Sequence, residues 1–575
     1  MKHMNLRRGA SALGIAAGLG LASLAAPTGV HASGLGFALH QVGPFGGEPS
    51  ITSDGNGVIY DTSPSGPETF RSTNGGTTWT PIQSPDNNSG DDCLNTDGEN
   101  SLYWCNLGSM SVGSAPLQAD VWKSTSPTIV SCTANCNWHY GNNAVTGGNC
   151  STSCNPFGVD RQWVSSYIAP GQHTNQAEVV LMYHDFYGPS HIWVNISHDG
   201  GATFGAAQEV LSQSSANSNL VVAEGYTFCN TVPIGTAIAQ AGTTHAGRIY
   251  VAWIASDPVA DTAGCNVTQN EAFHTVFVSY SDDGGTTWNS QLAFDAGTGR
   301  DLSTPFASFT LDDQGDPYVA FNSEAPADLS TVIGTATQLV QPAQCYSDSL
   351  QGGATLQNDH GCSYNTYVIW SNDGGSTWDG GGGSLGGTLV PGAAATAYLA
   401  SPSNQYGTDQ FATIAVGNPG QVDVSWLHTD TIEPQGNGAL GKFDPEGCGG
   451  PSAVAPGVPP STYPARCLWT LWASQSLNLN QAPGTATFTA AQLTAHPMHY
   501  GDICNLGIAC APGVGLYPDP RHLLDFNMET IDPTTGCAHI AYADDNASGD
   551  ATYGYSQDPS PFGGHLVSAD QTVGC

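Results

Sequence analysis

The sequence predicts an all-β chain closed into a six-bladed β-propeller, on three observations. The pattern Ser-x-(Asp/Asn)-x-Gly-x-Thr-(Trp/Phe) occurs four times without a gap. Six hairpin units of similar form recur along the chain, and no segment beyond the N-terminal leader carries helical periodicity. Hairpins that cannot bury both faces alone, repeated in series, call for an array closed on itself.

The four copies are Ser72-Asn74-Gly76-Thr78-Trp79, Ser197-Asp199-Gly201-Thr203-Phe204, Ser281-Asp283-Gly285-Thr287-Trp288 and Ser371-Asp373-Gly375-Thr377-Trp378. The polar third residue can accept hydrogen bonds from the amides of its own turn, and the paired glycines tolerate positive φ. The aromatic then folds the turn down onto an apolar layer. This is an architectural device and says nothing of chemistry.

The hairpins begin at Glu48, Asp160, near Val232, Thr304, Asp409 and Asp525, each with period-two alternation and a Gly/Asp/Asn turn. Each box follows its hairpin as the next strand pair. Blades five and six carry worn versions, Gly484-Thr487-Phe488 and Ser556-Asp558-Phe562. Residues 33–575 read as one domain, whose last blade is closed either by residues 36–43 or by the C-terminal strand.

Lys2, Arg7 and Arg8, an apolar run from Leu13 to Ala26 and Val30-His31-Ala32 read as a secretory signal over residues 1–32. No later stretch is long and apolar enough to span a bilayer, so the expected location is extracellular. The 16 cysteines then read as disulfides. Local couples are Cys93–Cys105, Cys229–Cys265, Cys345–Cys362, Cys448–Cys467, Cys504–Cys510 and Cys537–Cys575. Cys132, Cys136, Cys150 and Cys154 allow three pairings, with a zinc knot as the rival. Without the three leader cations, 8 of the 11 basic residues face 48 acidic ones, a charge of about −40. Nucleic acid and anionic membranes are repelled by such a chain. Few residues are charged at all, and the composition suits an acidic medium.

In the sialidase-like arrangement that the four boxes resemble, the turns between first and second strands and the box turns share one side of the disc, and here both kinds are mostly short. The other side collects the long connections 83–158, 257–273, 325–363, 379–408, 431–465 and 490–524. Long stapled loops on a rigid scaffold are where binding and catalysis concentrate, so that rim is the expected functional face. At the starts of the innermost strands stand Glu48, Asp160-Arg161, Arg300-Asp301, Asp409 and Arg521 with Asp525. Arg161, Arg300 and Arg521 could grip one carboxylate by forked hydrogen bonds, or each could neutralise its neighbouring aspartate.

The four boxes resemble the Asp-box of the sialidase (BNR repeat) superfamily, where it closes the hairpin between the third and fourth strands of a blade. The resemblance covers most of the chain and implies a six-bladed propeller of sialidase type that acts on extracellular glycans. It also implies three arginines on a substrate carboxylate, a tyrosine nucleophile helped by a glutamate, and an aspartate acid/base. Arg161, Arg300, Arg521, Tyr500, Asp160, Asp525 and Glu48 are the candidates for these roles. Tyr406 and Tyr517 stand beside Tyr500 without a motif to choose among them. His499, Asp502, Asp301 and Asp409 are candidate substrate-binding groups. The loop His499 to Cys510 and the run Arg521 to Phe526 also resemble secreted bacterial sialidase-like proteins. The sequence departs from the family in blade one, where Gly-Glu-Pro-Ser-Ile, with Glu48, replaces the arginine-bearing strand. Two classes follow: an exo-sialidase acting on glycans or glycoproteins, or a non-catalytic propeller that binds a glycan or protein. No cofactor is required; calcium suits the acidic rim at an improvised site.

Overall fold

The computed structural model describes residues 34–64, 66–86, 89–108, 118–141, 158–185, 192–211, 231–256, 273–295, 307–324, 364–378, 397–402, 405, 407–429, 468–480, 486–500, 523–545 and 564–575. Within them the alternating segments pair as antiparallel strands. An N-terminal strand, β1 (Gly36–Gly43), precedes blade one: β2 (Ser50–Ser53), β3 (Ile59–Ser63), β4 (Gly66–Ser72) and β5 (Thr80–Gln83). Blade two is β6 (Ser89–Thr96), β7 (Leu102–Gly108), β8 (Gln118–Ser124) and β9 (His139–Tyr140). Blade three is β10 (Val159–Tyr167), β11 (Glu178–Asp185), β12 (Ile192–Ser197) and β13 (Gln208–Leu211). Blade four is β14 (Thr231–Ile238), β15 (Ile249–Ser256), β16 (Phe273–Ser281) and β17 (Asn289–Asp295). Blade five is β18 (Ser308–Leu311), β19 (Pro317–Glu324), β20 (Tyr364–Trp370) and β21 (Tyr398–Leu399). Blade six is β22 (Thr408–Val416), β23 (Val422–Thr429), β24 (Leu468–Ser476) and β25 (Thr489–Gln492), with β26 (His499–Tyr500) also on β24. Blade seven is β27 (Met528–Ile531), β28 (Ala538–Asp544) and β29 (His565–Val573), with β1 as its outer strand.

The blades number seven, not six. Their first strands touch in a closed ring, β2 to β6, β10, β14, β18, β22, β27 and back to β2. The blade that sequence reading missed is blade two, which occupies most of the presumed loop 83–158. It has no Asp-box. The connection between β8 and β9 instead carries the Cys132–Cys136 disulfide, and Ile129 and Cys136 fill the seam toward blade one.

The boxes form as their chemistry dictates. In blade four, Ser281 Oγ donates to Asp283 Oδ1 at 2.8 Å and accepts from Gly285 N at 2.9 Å; Thr287 N and Oγ1 donate to the two Asp283 oxygens at 2.8 and 2.7 Å. Copies at Ser72, Ser197 and Ser371 repeat the pattern, with Asn74 donating to Thr78 Oγ1 in the first. The worn box of blade six keeps Ser476 donating to Asn478 Oδ1, which in turn accepts from Thr487 N across an insertion. Each box aromatic packs into the seam with the preceding blade: Phe204, Trp288 and Trp378 lie in the core clusters between blades two and three, three and four, and four and five. Trp79 does the same between blades seven and one, its indole N–H on Ser568 Oγ at 3.2 Å.

β1 pairs with β29 along nearly its whole length, so both chain ends close the last blade. Ser556, Asp558 and Phe562, expected as that blade's worn box, lie outside the described residues. Cys537–Cys575 ties the C-terminus to the β27–β28 turn, and Cys93–Cys105 joins β6 to β7. The couples Cys229–Cys265, Cys345–Cys362, Cys448–Cys467 and Cys504–Cys510 lie outside the described residues, as do Cys150, Cys154 and the signal segment. Among the described residues no helix is long and apolar enough to cross a membrane.

Candidate functional site

The box turns contact the turns between first and second strands, as where Gly374 N donates to Asp316 Oδ1 at 2.9 Å, so the long connections leave from the opposite end. At that opposite end the innermost strands are irregular. Register shifts interrupt β6 between Ser89 and Asp92, β10 between Asp160 and Trp163, β14 between Pro233 and Gly235, and β22 between Gln410 and Thr413. Bulges of this kind re-aim side chains and gather near functional sites. Four non-glycine residues there have left-handed backbone: Glu48 at φ 44°, Arg161 at 55°, Phe411 at 57° and Leu524 at 57°. Such positions cost roughly 1–3 kcal/mol each and persist where the surrounding structure over-determines them. Gly47, at φ 102°, allows the turn into Glu48: a Cβ there would stand 2.9 Å from Leu524 Cδ1.

The kinks bring charged residues of blades seven, one, two and three together. Arg161 of blade three reaches across the mouth to blade seven, where Nη2 donates to Asp525 Oδ2 and its guanidinium carbon sits 5.7 Å from the centre of the Phe526 ring. The side chains of Arg161 and Asp525 are 10% and 3% exposed. Burial opposes the Arg161 charge, but Asp525, Glu48, Asp160 and Asp91 together push its pKa above the ordinary value. Burial and the neighbouring Asp160 push the Asp91 carboxyl up to about 7, against the pull of Arg161 and a hydrogen bond with Glu48. Asp91 therefore exchanges a proton near neutrality. Gln162 Nε2 donates to the Asp91 carbonyl at 2.7 Å. His184, opposite Asp160 in the ladder, donates from Nδ1 to Thr231 O at 2.6 Å. Burial, reinforced by Arg161, lowers it to about 4, so it is neutral.

Four of the sequence candidates, Glu48, Asp160, Arg161 and Asp525, thus converge. Asp91 was missed because its blade was missed. Its signal lay in a second repeat, an Asp-led turn followed six residues later by Tyr: Asp54/Tyr60, Asp97/Tyr103 and Asp312/Tyr318. Asp97 Oδ1 accepts from Glu99 N and Ser101 N, at 3.0 and 2.9 Å, and Asp54 and Asp312 do likewise. Asp409 does not join the cluster. It is buried with His428 Nδ1 at 2.8 Å and Thr366 Oγ1 at 3.0 Å. His499 is equally committed, donating from Nδ1 to Asp545 at 2.7 Å, and both side chains are buried. Tyr500 is placed only by its backbone, paired with Leu468. Arg300, Asp301, Asp502 and Arg521 lie outside the described residues, as do Tyr406 and Tyr517. Among the described residues no three His, Cys, Asp or Glu side chains gather closely enough to hold a metal ion. Calcium remains an expectation for the rim connections.

No protein-family profile matches the chain, and no curated protein is similar to it in sequence. Solved structures are similar in fold. A protein of unknown function from Dyadobacter fermentans is 12% identical at a TM-score of 0.38, covering 95% of this chain and 100% of its own. The polysaccharide lyase Uly1 is 8% identical at 0.43, covering 92% and 90%. Trypanosoma rangeli sialidase is 9% identical at 0.36, and the 92% of this chain that aligns spans 59% of it. At these identities and scores the likenesses carry nothing about substrate or chemistry, and the fold rests on the strand pairing itself.

Proposed function

We propose that the chain is an extracellular, glycan-acting propeller whose ligand enters the mouth where Arg161 meets Glu48, Asp91, Asp160 and Asp525. One observation carries this reading: the kinked or bulged starts of first strands from four neighbouring blades bring one titratable carboxyl and three further carboxyl groups around Arg161. Sugar hydroxyls are donors suited to carboxylate acceptors, and Arg161 supplies the complementary donor. Asp91, whose carboxyl is pushed up to about 7, is the group suited to give a proton to a glycosidic oxygen, with a neighbouring carboxyl placed to face the positive charge that develops on the sugar.

The sialic-acid-cleaving form of this reading needs Arg300 and Arg521 to join Arg161 in gripping a carboxylate. Arg161 is already engaged by Asp525 amid three further carboxylates, which opposes an anionic sugar. The test is a panel of fluorogenic glycosides, sialoside included, assayed from about pH 3 to 9 with the Asp91→Asn variant alongside. Turnover of a non-sialic glycoside that falls on the alkaline side of about pH 7 and is abolished by Asp91→Asn supports the proposal. Brisk sialoside cleavage at neutral pH, indifferent to Asp91, overturns it in favour of the sialidase. Failure to cleave or bind any glycan removes the carbohydrate reading altogether.

A further inference from the structure

Resting on the glycan reading, we infer that Trp163 and Phe526 form the floor of the mouth, on which a pyranose ring lies by its C–H face while its edge hydroxyls meet the charged groups. The two kinks that deliver the charges also deliver the rings. In blade three the bulge after Asp160 carries Arg161, at φ 55°, and the ladder resumes at Trp163 opposite Met182. In blade seven Leu524, at φ 57°, turns the chain into Asp525 and Phe526. Both chains run inward from the rim and each ring follows its charge, so the rings lie one step deeper. Arg161 pairs with Asp525, and the Trp163 and Phe526 ring centres stand 5.5 Å apart with planes inclined at 39°. The Arg161 guanidinium carbon is 5.7 Å from the Phe526 ring centre, so the charged and aromatic pairs adjoin. Blades three and seven are not neighbours in the ring of first strands, so both pairs reach across its axis.

These rings are not seam filling. The box aromatics Phe204, Trp288 and Trp378 are buried between blades, whereas Trp163 and Phe526 are both partly exposed. The covered side of Trp163 packs on the core between blades three and four, and that of Phe526 on the core between blades six and seven. Those cores lie on opposite sides of the ring, so the uncovered parts face the axial space between them. Deeper along the axis the first strands touch through hydroxyls, Ser165 with Thr236 at 3.3 Å and Ser53 with Thr530 at 3.2 Å. The aromatic pair thus lies between that hydroxyl layer and the charged groups of the mouth. A sugar ring matches this layering. Its C–H hydrogens are weakly positive and suit the negative face of an aromatic ring, and its hydroxyls project from the edge toward donors and acceptors. An apolar surface with a few placed polar groups is the usual make-up of a small-ligand site.

The test is calorimetric and fluorescence titration of the protein with cellotetraose, xylotetraose, N-acetylglucosamine tetraose and sialyllactose. The tightest-bound of these should lose about tenfold or more in affinity in Trp163→Leu and in Phe526→Leu, which keep apolar bulk but remove the ring. Trp163→Phe and Phe526→Tyr, which keep a ring, should stay within about threefold of the parent. Trp163→Phe should also lose most of the change in tryptophan emission that binding causes, a readout that a merely structural role would not move. Trp138→Leu, at a partly exposed aromatic in the outer turn of blade two, should leave affinity unchanged. Parent-like affinity in both leucine variants, or an emission change that survives Trp163→Phe intact, refutes the floor and leaves the glycan reading standing. Weakening by Trp138→Leu equal to that by Trp163→Leu reduces the effect to general adhesion of sugars to aromatics and refutes the site. Binding of none of these oligosaccharides removes the floor together with the glycan reading.

Discussion

Replacing Asp570 by Asn tests how the ring is held shut. Asp570 sits on β29, 3% exposed, and accepts from His40 Nδ1 of the N-terminal strand and from His539 Nδ1 of β28, both at 2.7 Å, and from Ser568 Oγ at 2.8 Å. Burial works to raise its pKa, but the His40 and His539 bonds outweigh that and hold it below the ordinary range. A hydrogen bond to a charged group contributes about 1.5–3 kcal/mol, and His40 is partly exposed, so losing the charge should cost about 2 kcal/mol at the β1–β29 junction. That is roughly a 30-fold rise in local opening. Amide exchange over Gly36–Gly43 reads it directly: at pH 7 these amides should exchange roughly 30-fold faster in Asp570→Asn. A depressed carboxyl stabilises above its unfolded pKa of about 3.9, and that contribution is lost as pH falls through the folded value. The difference between the two proteins should therefore shrink as pH falls below about 4 and vanish once it has passed the folded value. Unchanged exchange at pH 7, or a gap that persists undiminished in acid, would show that Asp570 does not close the ring.

Trp288→Ala empties the seam between blades three and four and should cost about 3–5 kcal/mol, read as a fall in unfolding midpoint with unaltered glycan binding. Cys537→Ser with Cys575→Ser opens a 38-residue separation and should cost about 4 kcal/mol on the chain-entropy estimate; a non-reduced peptide map of the parent must show the bridge. Between blades six and seven, burial raises the carboxyl of Asp423 to about 8, and burial followed by the Asp423 charge raises that of Glu529 well above its ordinary value. A raised carboxyl pKa means the folded state holds protons the unfolded state has released, so stability falls as pH rises from about 4. Glu529→Gln should flatten that slope and raise the midpoint at pH 8; a steeper slope would refute the assignment.

The sequence announces most blades because two local devices are written into it, the box and the hairpin turn. Both are set by side-chain-to-backbone bonds within a few residues, and local chemistry of that kind is legible without the fold. Blade two escaped because its outer turn is built differently. Cys132–Cys136, Ile129 and Arg71, which donates to the carbonyls of Ile129 and Cys132 at 2.7 and 2.8 Å, do there what a box aromatic does elsewhere. The convergence of Glu48, Arg161 and Asp525 was half legible. Their place at strand starts could be read, but the left-handed kinks that turn them inward could not, since Glu, Arg and Leu are poor advertisements for positive φ. Asp409 and His499 show the limit from the other side: the right residue types at the right height, each already engaged by a buried partner.

The charges also explain one another. Of the chain's 11 basic residues, the four in described segments are Arg71, Lys123, Arg161 and Arg248. Each is turned inward. Lys123 donates to Thr174 O at 3.1 Å, and Arg248 forks onto Asp282 at 2.7 and 2.8 Å while bonding Gly374 O at 2.8 Å. Arg71, Lys123 and Arg248 are 8%, 8% and 9% exposed, so the described surface presents carboxylates with almost no cation among them. The buried acids have the same shortage. Both Asp61 oxygens lack a partner among the described residues, and burial followed by the Asp570 charge raises that carboxyl well above its usual range. With cations so few, the fold meets buried negative charge by keeping protons on carboxyls. At Asp61, Asp423 and Glu529, sealed within the blades, the proton is the available means. At the mouth, where Asp91 and Asp160 are only partly covered, Arg161 supplies a counter-charge as well.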